Sequence, residues 1–295
     1  MPSHVPRIKA RLTLPAQRKV LGLLEGEYVS VVTGRGTEFN DLREYVRGDD
    51  VKDLDWKATA RVGVPLIRRY VAVRRRTVLM VVSTGRTMTA AHTLELGKRD
   101  LAVQAAGLLG WLAVRQGDLV GAVWGDAAGA QSLPPRSGEL HLERCLEAIH
   151  SAVGPTSADS DLVGLLTHVA RTVRRRALVL VVCEDEDGAP GLEGALRRLA
   201  VQHDVLVVSL ADVDPVSLPL ASATHDLDTG RAFPAWLRDD PELARELAES
   251  RTQARDAFRA ALVRAGVVHQ HAVDAPSALP VLRHLLEKQR HARRR

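Results

Sequence analysis

From Thr77 onward, short runs of β-branched residues alternate with longer segments of helical periodicity, and this alternation constrains the fold more than any other feature. It is typical of parallel strands joined by crossover helices, because parallel neighbours need a long connection. The runs are almost continuously apolar, which indicates burial on both faces. The predicted strands are TVLMVVS (77–83), DLVGAVW (118–124), ALVLVVC (177–183), DVLVVSL (204–210) and VVHQHAV (267–273).

The segments between these strands predict the helices that cover the sheet. Leu101 to Val114 is apolar on nearly all sides, which predicts a helix on the middle of one sheet face. We therefore expect an α/β domain over residues 77–290, with a doubly wound, mostly parallel sheet and helices on both faces. The predicted helices span 94–115, 139–151, 159–175, 192–201, 241–265 and 277–288.

The first 76 residues do not follow this alternation. They carry six glycines and short apolar runs such as EYVSVVT and PLIRRYVAV, a pattern that predicts turns and short strands. We expect residues 1–76 to form an N-terminal β-rich appendage and residues 291–295 to form a basic tail.

Composition narrows the class of function. Only 3% of the residues are aromatic, so few side chains could stack on single-stranded nucleic acid. The net charge of +5 fits an anionic partner, but acidic residues are mixed through the basic regions, which makes nucleic-acid binding the weaker alternative. Cys145 and Cys183 lie far apart, and no apolar stretch has the length of a signal peptide or membrane span, so we expect a cytoplasmic protein.

Polar residues gather where the predicted strands end. In a doubly wound sheet, ligands bind at the carboxyl ends of the strands. Here the strands run into STGRTM (83–88), WGD (124–126) and CEDEDG (183–188), and the loop PTSADSDL (155–162) precedes a helix. Hydroxyl and carboxylate oxygens suit Mg²⁺. Helix caps and turn residues are the alternative interpretation of the same side chains.

A second concentration of charge precedes the first strand, in GRGTEFNDLREY (34–45) and GDDVKDLDWKATA (48–60). The acidic run lacks the glycine and terminal glutamate of a helix–loop–helix calcium site, and GRGTEF lacks the third glycine of a dinucleotide loop. Arginines follow closely enough in sequence for bidentate pairing with the carboxylates. A polar turn with an aspartate cap is the alternative.

Other catalytic and metal-binding signatures are missing from the sequence. There is no GxxxxGK[ST] phosphate loop, no GxSxG elbow and no HExxH pair. His269 and His271 alternate along a predicted strand and so share one face, but no third ligand of matching spacing accompanies them. We interpret them as surface or edge-strand histidines.

A long stretch of the chain resembles a known family. The run GRGTEFNDLREYVRGDDVKDLDWKATARVGVPLIRRYVAVRRRTVLMVVSTGRTM (34–88) is similar to the signature of the bacterial domain of unknown function 58, which carries a von Willebrand factor A-like domain. RQGDLVGAVWGD and HDVLVVSLAD extend the resemblance in outline. It implies a non-enzymatic adaptor for a MoxR-type AAA+ ATPase, acting in the assembly or maturation of an unknown client. A metal-dependent enzyme remains the main alternative.

The resemblance also implies a place for a metal. Von Willebrand A-like domains build a metal-ion-dependent adhesion site from Asp-x-Ser-x-Ser after the first strand, a threonine in a second loop and a later aspartate. In this chain those positions fall on Ser83, Gly85, Thr87, Ser160 and Glu184. Serine replaces the leading aspartate, so the resemblance predicts a degenerate site with no cofactor, or with weak Mg²⁺ binding at most.

We expect the charged stretch to bind a partner or to hold the appendage together. Trp56 lies at the end of its acidic run, and Arg61, Arg68 and Arg69 follow closely enough in sequence to pair with the acids. The candidate residues are Glu38, Asp41, Arg43, Tyr45, Asp49, Asp50, Asp53, Asp55, Trp56, Arg61, Arg68 and Arg69.

Overall fold

The computed structural model describes residues 3–12, 22–29, 41–46, 54–69, 75–91, 93, 96–185, 189–212, 227, 240–272 and 278–294. The chain divides into two compact units. The larger unit contains Met1–Val32 and Arg76–Arg295, and the smaller unit is Thr33–Arg75.

The helices and strands keep the alternation that the sequence predicts. In chain order they are α1 (His4–Leu12), α2 (22–29), β1 (Asp41–Glu44), α3 (Trp56–Val62), β2 (Leu66–Arg69), β3 (Thr77–Ser83), a 3-10 turn (Arg86–Thr89), α4 (Lys98–Arg115), β4 (Leu119–Asp126), β5 (Gly129–Arg136), α5 (Glu139–Ala152), α6 (Leu162–Thr172), β6 (Leu178–Glu184), α7 (Leu192–Gln202), β7 (Asp204–Leu210), α8 (Pro241–Arg264), β8 (Val268–Ala272) and α9 (Ala278–Arg294).

The larger unit contains a six-stranded sheet in the order β5-β4-β3-β6-β7-β8. All neighbouring strands are parallel except β5, which runs antiparallel to β4. This confirms the predicted α/β architecture, a mostly parallel sheet with helices on both faces. The sequence did not predict β5, because GAQSLPPR carries two prolines and little apolar character. Such a strand is tolerated at the edge of a sheet, where one side needs no hydrogen-bonded neighbour.

The six-stranded sheet divides the hydrophobic core into two layers, and the side chains of the central strand β3 alternate between them. Val78, Met80 and Val82 pack into the layer that contains α1, α4, α5 and α9. Leu79 and Val81 point into the opposite layer, with α6, α7 and α8. This alternation follows from the two-residue period of a strand, and burial on both faces explains why the strand sequence is continuously apolar.

Two glycines allow other helices to approach α4 closely. A Cβ added at Gly107 would lie 2.3 Å from Cδ1 of Ile8, and one added at Gly110 would lie 2.5 Å from Cδ1 of Leu142. Helices α1 and α5 therefore pack directly over these positions. The burial predicted for this apolar helix is confirmed.

The N-terminal helix belongs to the larger unit, although the sequence predicted that residues 1–76 form one β-rich appendage. Val5, Ile8 and Leu12 form a buried stripe on α1. The Glu143 carboxylate accepts hydrogen bonds from the first backbone amides of the helix, at 2.5 Å from His4 and 2.7 Å from Val5. The glycine-rich pattern that predicted the appendage begins only after this helix, so it was no evidence for the structure of residues 1–12.

The C-terminal residues also differ from the sequence prediction. Helix α9 continues to Arg294, so residues 291–294 belong to it and do not form a separate basic tail.

The smaller unit contains a two-stranded antiparallel sheet and one short helix among its described residues. The Asp55 carboxylate caps α3 by accepting hydrogen bonds from the backbone amides of Lys57 and Ala58. The helix ends at Gly63, whose φ of 78° is left-handed and favours glycine. The aspartate cap that was an alternative interpretation of the acidic run is therefore present at Asp55.

Candidate functional site

The topological switch point of the sheet lies between β3 and β6. From β3 the chain crosses to β4 on one side, and it later enters β6 on the other side. Loops that leave the carboxyl ends of these two strands diverge and open a crevice, where ligands bind in folds of this class. The candidate site is therefore at the ends of β3 and β6.

The structure brings the five predicted adhesion-site positions together at this edge. The Ser160 hydroxyl oxygen lies 3.5 Å from the hydroxyl oxygens of both Ser83 and Thr87. The Thr87 hydroxyl donates to the Glu184 carboxylate at 2.5 Å. Gly85 completes the group by leaving room for Ser160. A cluster of oxygen atoms thus forms from residues that lie about a hundred positions apart in sequence.

Gly85 is required by this close approach of two loops. A Cβ at this position would lie 2.1 Å from Oγ of Ser160 and 2.7 Å from its backbone nitrogen and Cα. A side chain there would force the second loop away from the end of β3. The glycine that replaces the first serine of the motif therefore makes the space that Ser160 occupies.

Polar contacts connect the loops around the cluster. The Arg86 amide donates to the Ala158 carbonyl at 2.9 Å, and the Arg86 guanidinium pairs with Asp159 at 2.7 Å. The Asp126 carboxylate accepts from the backbone amides of Ala128 and Ala158. Asp126, which the sequence placed among the oxygen donors at this edge, holds loops together in this arrangement.

Lys98 was missed by the sequence analysis, although it lies in the middle of this region. The residue is fully buried, at 0% exposure. Its Nζ lies 2.5 Å from Oδ1 of Asp212 and 3.7 Å from Oε1 of Glu184. Both contacts are ion pairs, and Nζ has no hydrogen-bond partner among the described residues.

The sequence analysis placed Lys98 inside the predicted helix 94–115 and not at its start, so it had no signal for Lys98. In the structure Lys98 is the first residue of α4, where the positive end of the helix dipole disfavours a cation. A lysine at that position needs carboxylates nearby, and Glu184 and Asp212 supply them.

The residues at the edge do not fit a divalent metal ion. Across the described parts of the chain, no group of three or more histidine, cysteine, aspartate or glutamate residues is arranged to hold one. The carboxylate at the matched positions, Glu184, already contacts the Thr87 hydroxyl and the Lys98 ammonium. A Mg²⁺ ion relies on one or two carboxylates, and here it would compete with a buried ammonium for Glu184.

A serine, a histidine and an aspartate meet at the ends of β6, β7 and β8, but not as a catalytic triad. Nδ1 of His271 lies 2.9 Å from the Ser209 hydroxyl and 3.0 Å from Oδ1 of Asp185. A triad histidine uses one ring nitrogen for the acid and the other for the nucleophile. Because both contacts here are to Nδ1, the arrangement does not relay a proton from Ser209 to Asp185.

The other histidine of that strand, His269, and the two cysteines do not provide a catalytic group either. Burial lowers the pKa of His269, and its Nδ1 lies 3.5 Å from the Val267 carbonyl oxygen. Neither Cys145 nor Cys183 forms a disulfide, and both are buried. Burial raises the pKa of Cys145 to about 11, so its reactive thiolate form is scarce at neutral pH.

The candidate residues of the charged stretch are described only in part. Glu38, Asp49, Asp50 and Asp53 lie outside the described residues. The backbone of β1 and β2 places Asp41 opposite Arg69, Leu42 opposite Arg68 and Arg43 opposite Ile67. The four charged side chains of this set, those of Asp41, Arg43, Arg68 and Arg69, also lie outside the description. The predicted pairing of the aspartates with arginines stays a prediction.

Several large apolar side chains of the smaller unit are exposed to solvent. Trp56 is 67% exposed, whereas Trp111 and Trp124 of the larger unit are 7% and 6% exposed. Tyr45 and Arg61 are exposed as well. We call the following residues the exposed apolar set of the smaller unit: Leu42, Tyr45, Val46, Trp56, Val62 and Val64.

Comparison with known proteins identifies the family. Residues 41–268 match the family described as "Protein of unknown function DUF58". Uncharacterized proteins of Mycobacterium tuberculosis and Mycobacterium bovis are 31% identical over 209 residues, which is 70% of this chain and 65% of theirs. The chain therefore spans less than two thirds of the length of these relatives. It belongs to the DUF58 family.

Solved structures that match this chain are more distant in sequence. An aerotolerance-related membrane protein from Bacteroides fragilis is 14% identical, with a TM-score of 0.45 over 72% of this chain and 99% of its own. The conserved hypothetical protein BatB from Bacteroides thetaiotaomicron is 16% identical, with a TM-score of 0.46 over 72% of this chain and 98% of its own. Similarity at this level has no bearing on function. Among the helices described in our structure, none has the length and apolarity needed to cross a membrane.

Proposed function

We propose that this DUF58 protein is a non-enzymatic, cytoplasmic adaptor that binds a MoxR-type AAA+ ATPase and helps to assemble or mature a client protein. The ATPase follows from the family resemblance of the 34–88 run. The observation that carries a binding role is the exposure of Trp56 within the exposed apolar set of the smaller unit.

Trp56 has the properties of an interface anchor. Tryptophan is enriched among the residues that dominate binding energy, because its large ring buries much apolar area with few rotatable bonds. Here the ring projects from the first turn of α3, and the Asp55 cap fixes where that helix begins. A preorganised anchor loses less conformational entropy on binding.

Charge near Trp56 adds specificity to such a contact. Asp49, Asp50 and Asp53 precede the tryptophan in sequence, and Arg61 follows it. Charged groups around an apolar anchor steer association and reject wrong partners more than they add affinity. We therefore expect the partner to present an apolar pocket with basic residues at its rim.

The edge of the sheet supports a binding role over catalysis. Its carboxylate Glu184 is paired with Lys98, and the nearby Ser209 and His271 lack the geometry of a nucleophile and its base. These observations leave the described residues of the edge without an activated nucleophile or a metal-binding group.

The proposal is tested by co-purification of the tagged chain with a MoxR-type ATPase of the same organism. We expect wild-type protein to retain the ATPase and Trp56→Ala to bind it at least about 30-fold more weakly, since anchor residues contribute about 2 kcal/mol or more. Leu140→Ala is the matched control, because Leu140 is 79% exposed but lies on α5 of the larger unit.

A triple variant extends the test to the acidic run. Asp50→Ala, Asp53→Ala and Trp56→Ala combined should abolish retention of the ATPase while the protein stays folded. Unchanged retention by this folded variant would rule out the smaller unit as the docking surface. Turnover of a generic ester or phosphate ester would instead favour the enzyme alternative.

A further inference from the structure

We propose that the buried ammonium of Lys98 takes the place of the divalent cation at the carboxyl edge of this sheet, so that the edge neither binds Mg²⁺ nor needs it. Related folds place a metal ion among these loops, whereas this chain places its own cation there. The proposal concerns the larger unit and does not depend on the ATPase.

The first support is the position of the ammonium. Nζ of Lys98 contacts Glu184, the carboxylate at the matched metal-site positions, at 3.7 Å. The same carboxylate accepts a hydrogen bond from Thr87, another matched position. Lysine carries a compact point charge on a flexible stem, so its ammonium can occupy the place of a small cation.

The second support is the charge balance at the edge. A serine stands at position 83 in place of the leading aspartate, and its buried hydroxyl carries no charge. A second carboxylate, Asp212, lies 2.5 Å from Nζ and keeps 48% of its side chain exposed. One carboxylate has been lost and one fixed ammonium gained, and both changes disfavour a divalent cation.

The third support is burial. Lys98 is the first residue of α4 and is fully covered, yet Nζ makes no regular hydrogen bond to the described residues. A buried charge persists only where opposite charge compensates for its lost hydration. The carboxylates at the edge therefore pair with Lys98 and are not available to coordinate a metal ion.

The experiment compares four proteins by calorimetric titration with Mn²⁺ and with Mg²⁺: wild type, Ser83→Asp, Lys98→Met and the double variant. We expect wild type and Ser83→Asp to show only millimolar background, because the ammonium is still present in both. The double variant restores the aspartate and removes the ammonium, and it should bind Mn²⁺ about 100-fold more tightly than wild type. Mn²⁺ should also raise its melting temperature.

Two results would overturn the proposal. One is micromolar Mn²⁺ binding by wild type or by Ser83→Asp, which would show that a metal and Lys98 coexist. The other is a folded double variant that binds no more tightly than wild type. If the double variant does not fold, the Ser83→Asp titration decides, together with the melting temperature of wild type in EDTA and in millimolar Mg²⁺, which should be equal.

Discussion

The two candidate regions differ in what they bury and what they expose. The edge of the large sheet buries polar groups, including the Ser83 hydroxyl and the Lys98 ammonium, and pairs Lys98 with carboxylates of the same chain. The smaller unit does the opposite, because it exposes Trp56 and other large apolar side chains. Buried polar groups and exposed apolar groups are the informative departures from ordinary burial. At the edge, the charge of Lys98 is balanced by carboxylates of the same chain. The smaller unit instead exposes apolar surface that a partner could bury.

The largest effect on stability is expected from Lys98→Met. Removing the ammonium takes away a cation that contacts the largely buried Glu184 carboxylate. Loss of one partner from a buried pair costs about 3 kcal/mol or more in the free energy of unfolding. Urea unfolding of both proteins measures this loss, and Lys57→Met, at an exposed position of the smaller unit, should change stability by less than about 0.5 kcal/mol. Equal stability of Lys98→Met and wild type would contradict the internal charge balance.

Gly85→Ala should have the next largest effect. The new Cβ would lie within 2.7 Å of the Ser160 backbone, so the two loops must separate. Overpacking of this kind costs about 2 kcal/mol in the free energy of unfolding. The control is Gly154→Ala, because a Cβ at Gly154 meets no atom within 4 Å. If both variants unfold at the same urea concentration, the close contact at Ser160 does not hold the loops together.

Mild acid should destabilise the larger unit by a smaller amount. Burial lowers the pKa of His203, and also of His141, His150 and His269. Their unfolded pKa is about 6.5, so the unfolded chain binds protons first. The stability conferred by the neutral rings is thus complete above about pH 6.5 and is lost as the pH falls through and below that value.

The measurement is the melting temperature between about pH 7.5 and about pH 5.5. We expect it to fall toward acid, with a shallower slope in His203→Phe. Residues 33–75 contain no histidine, so the smaller unit should be insensitive to pH over this range. An identical slope in wild type and His203→Phe would exclude His203 as a contributor.

The smallest effect on stability is expected from Trp56→Ala, the variant with the largest expected effect on binding. An exposed ring adds little to folding, so the free energy of unfolding should change by less than about 0.5 kcal/mol. Trp124→Ala, which empties a buried site, should cost about 3 kcal/mol or more. If Trp56→Ala lowers the free energy of unfolding as much as Trp124→Ala does, the Trp56 ring stabilises the fold and is not an exposed anchor for a partner.

The sheet could be predicted closely because its signal is local. Strands 77–83 and 204–210 agree with the prediction residue for residue, and the burial of α4 follows from its apolar sequence. Strand β5 could not be predicted in this way, because its sequence is polar and its conformation depends on pairing with β4. Helix α1 has a clear apolar stripe, but its packing on α4 and α5 depends on contacts more than ninety residues away in sequence.

The candidate site was predictable only through resemblance to a family. That resemblance placed Thr87, Ser160 and Glu184 at one edge, and the structure brings them into contact. Lys98 and Asp212 were missed, because nothing in the local sequence states that a lysine side chain is buried or which carboxylate it meets. The exposure of Trp56 was also beyond the sequence pattern, which showed only an aromatic residue beside an acidic run.

The most direct test of which region binds the partner is hydrogen–deuterium exchange of the chain alone and with the ATPase. The account predicts slower exchange on binding in peptides covering residues 41–46 and 54–69, with peptides covering 83–89 and 157–162 unchanged. Protection confined to 83–89 and 157–162 would contradict it, because it would place the partner at the edge of the sheet.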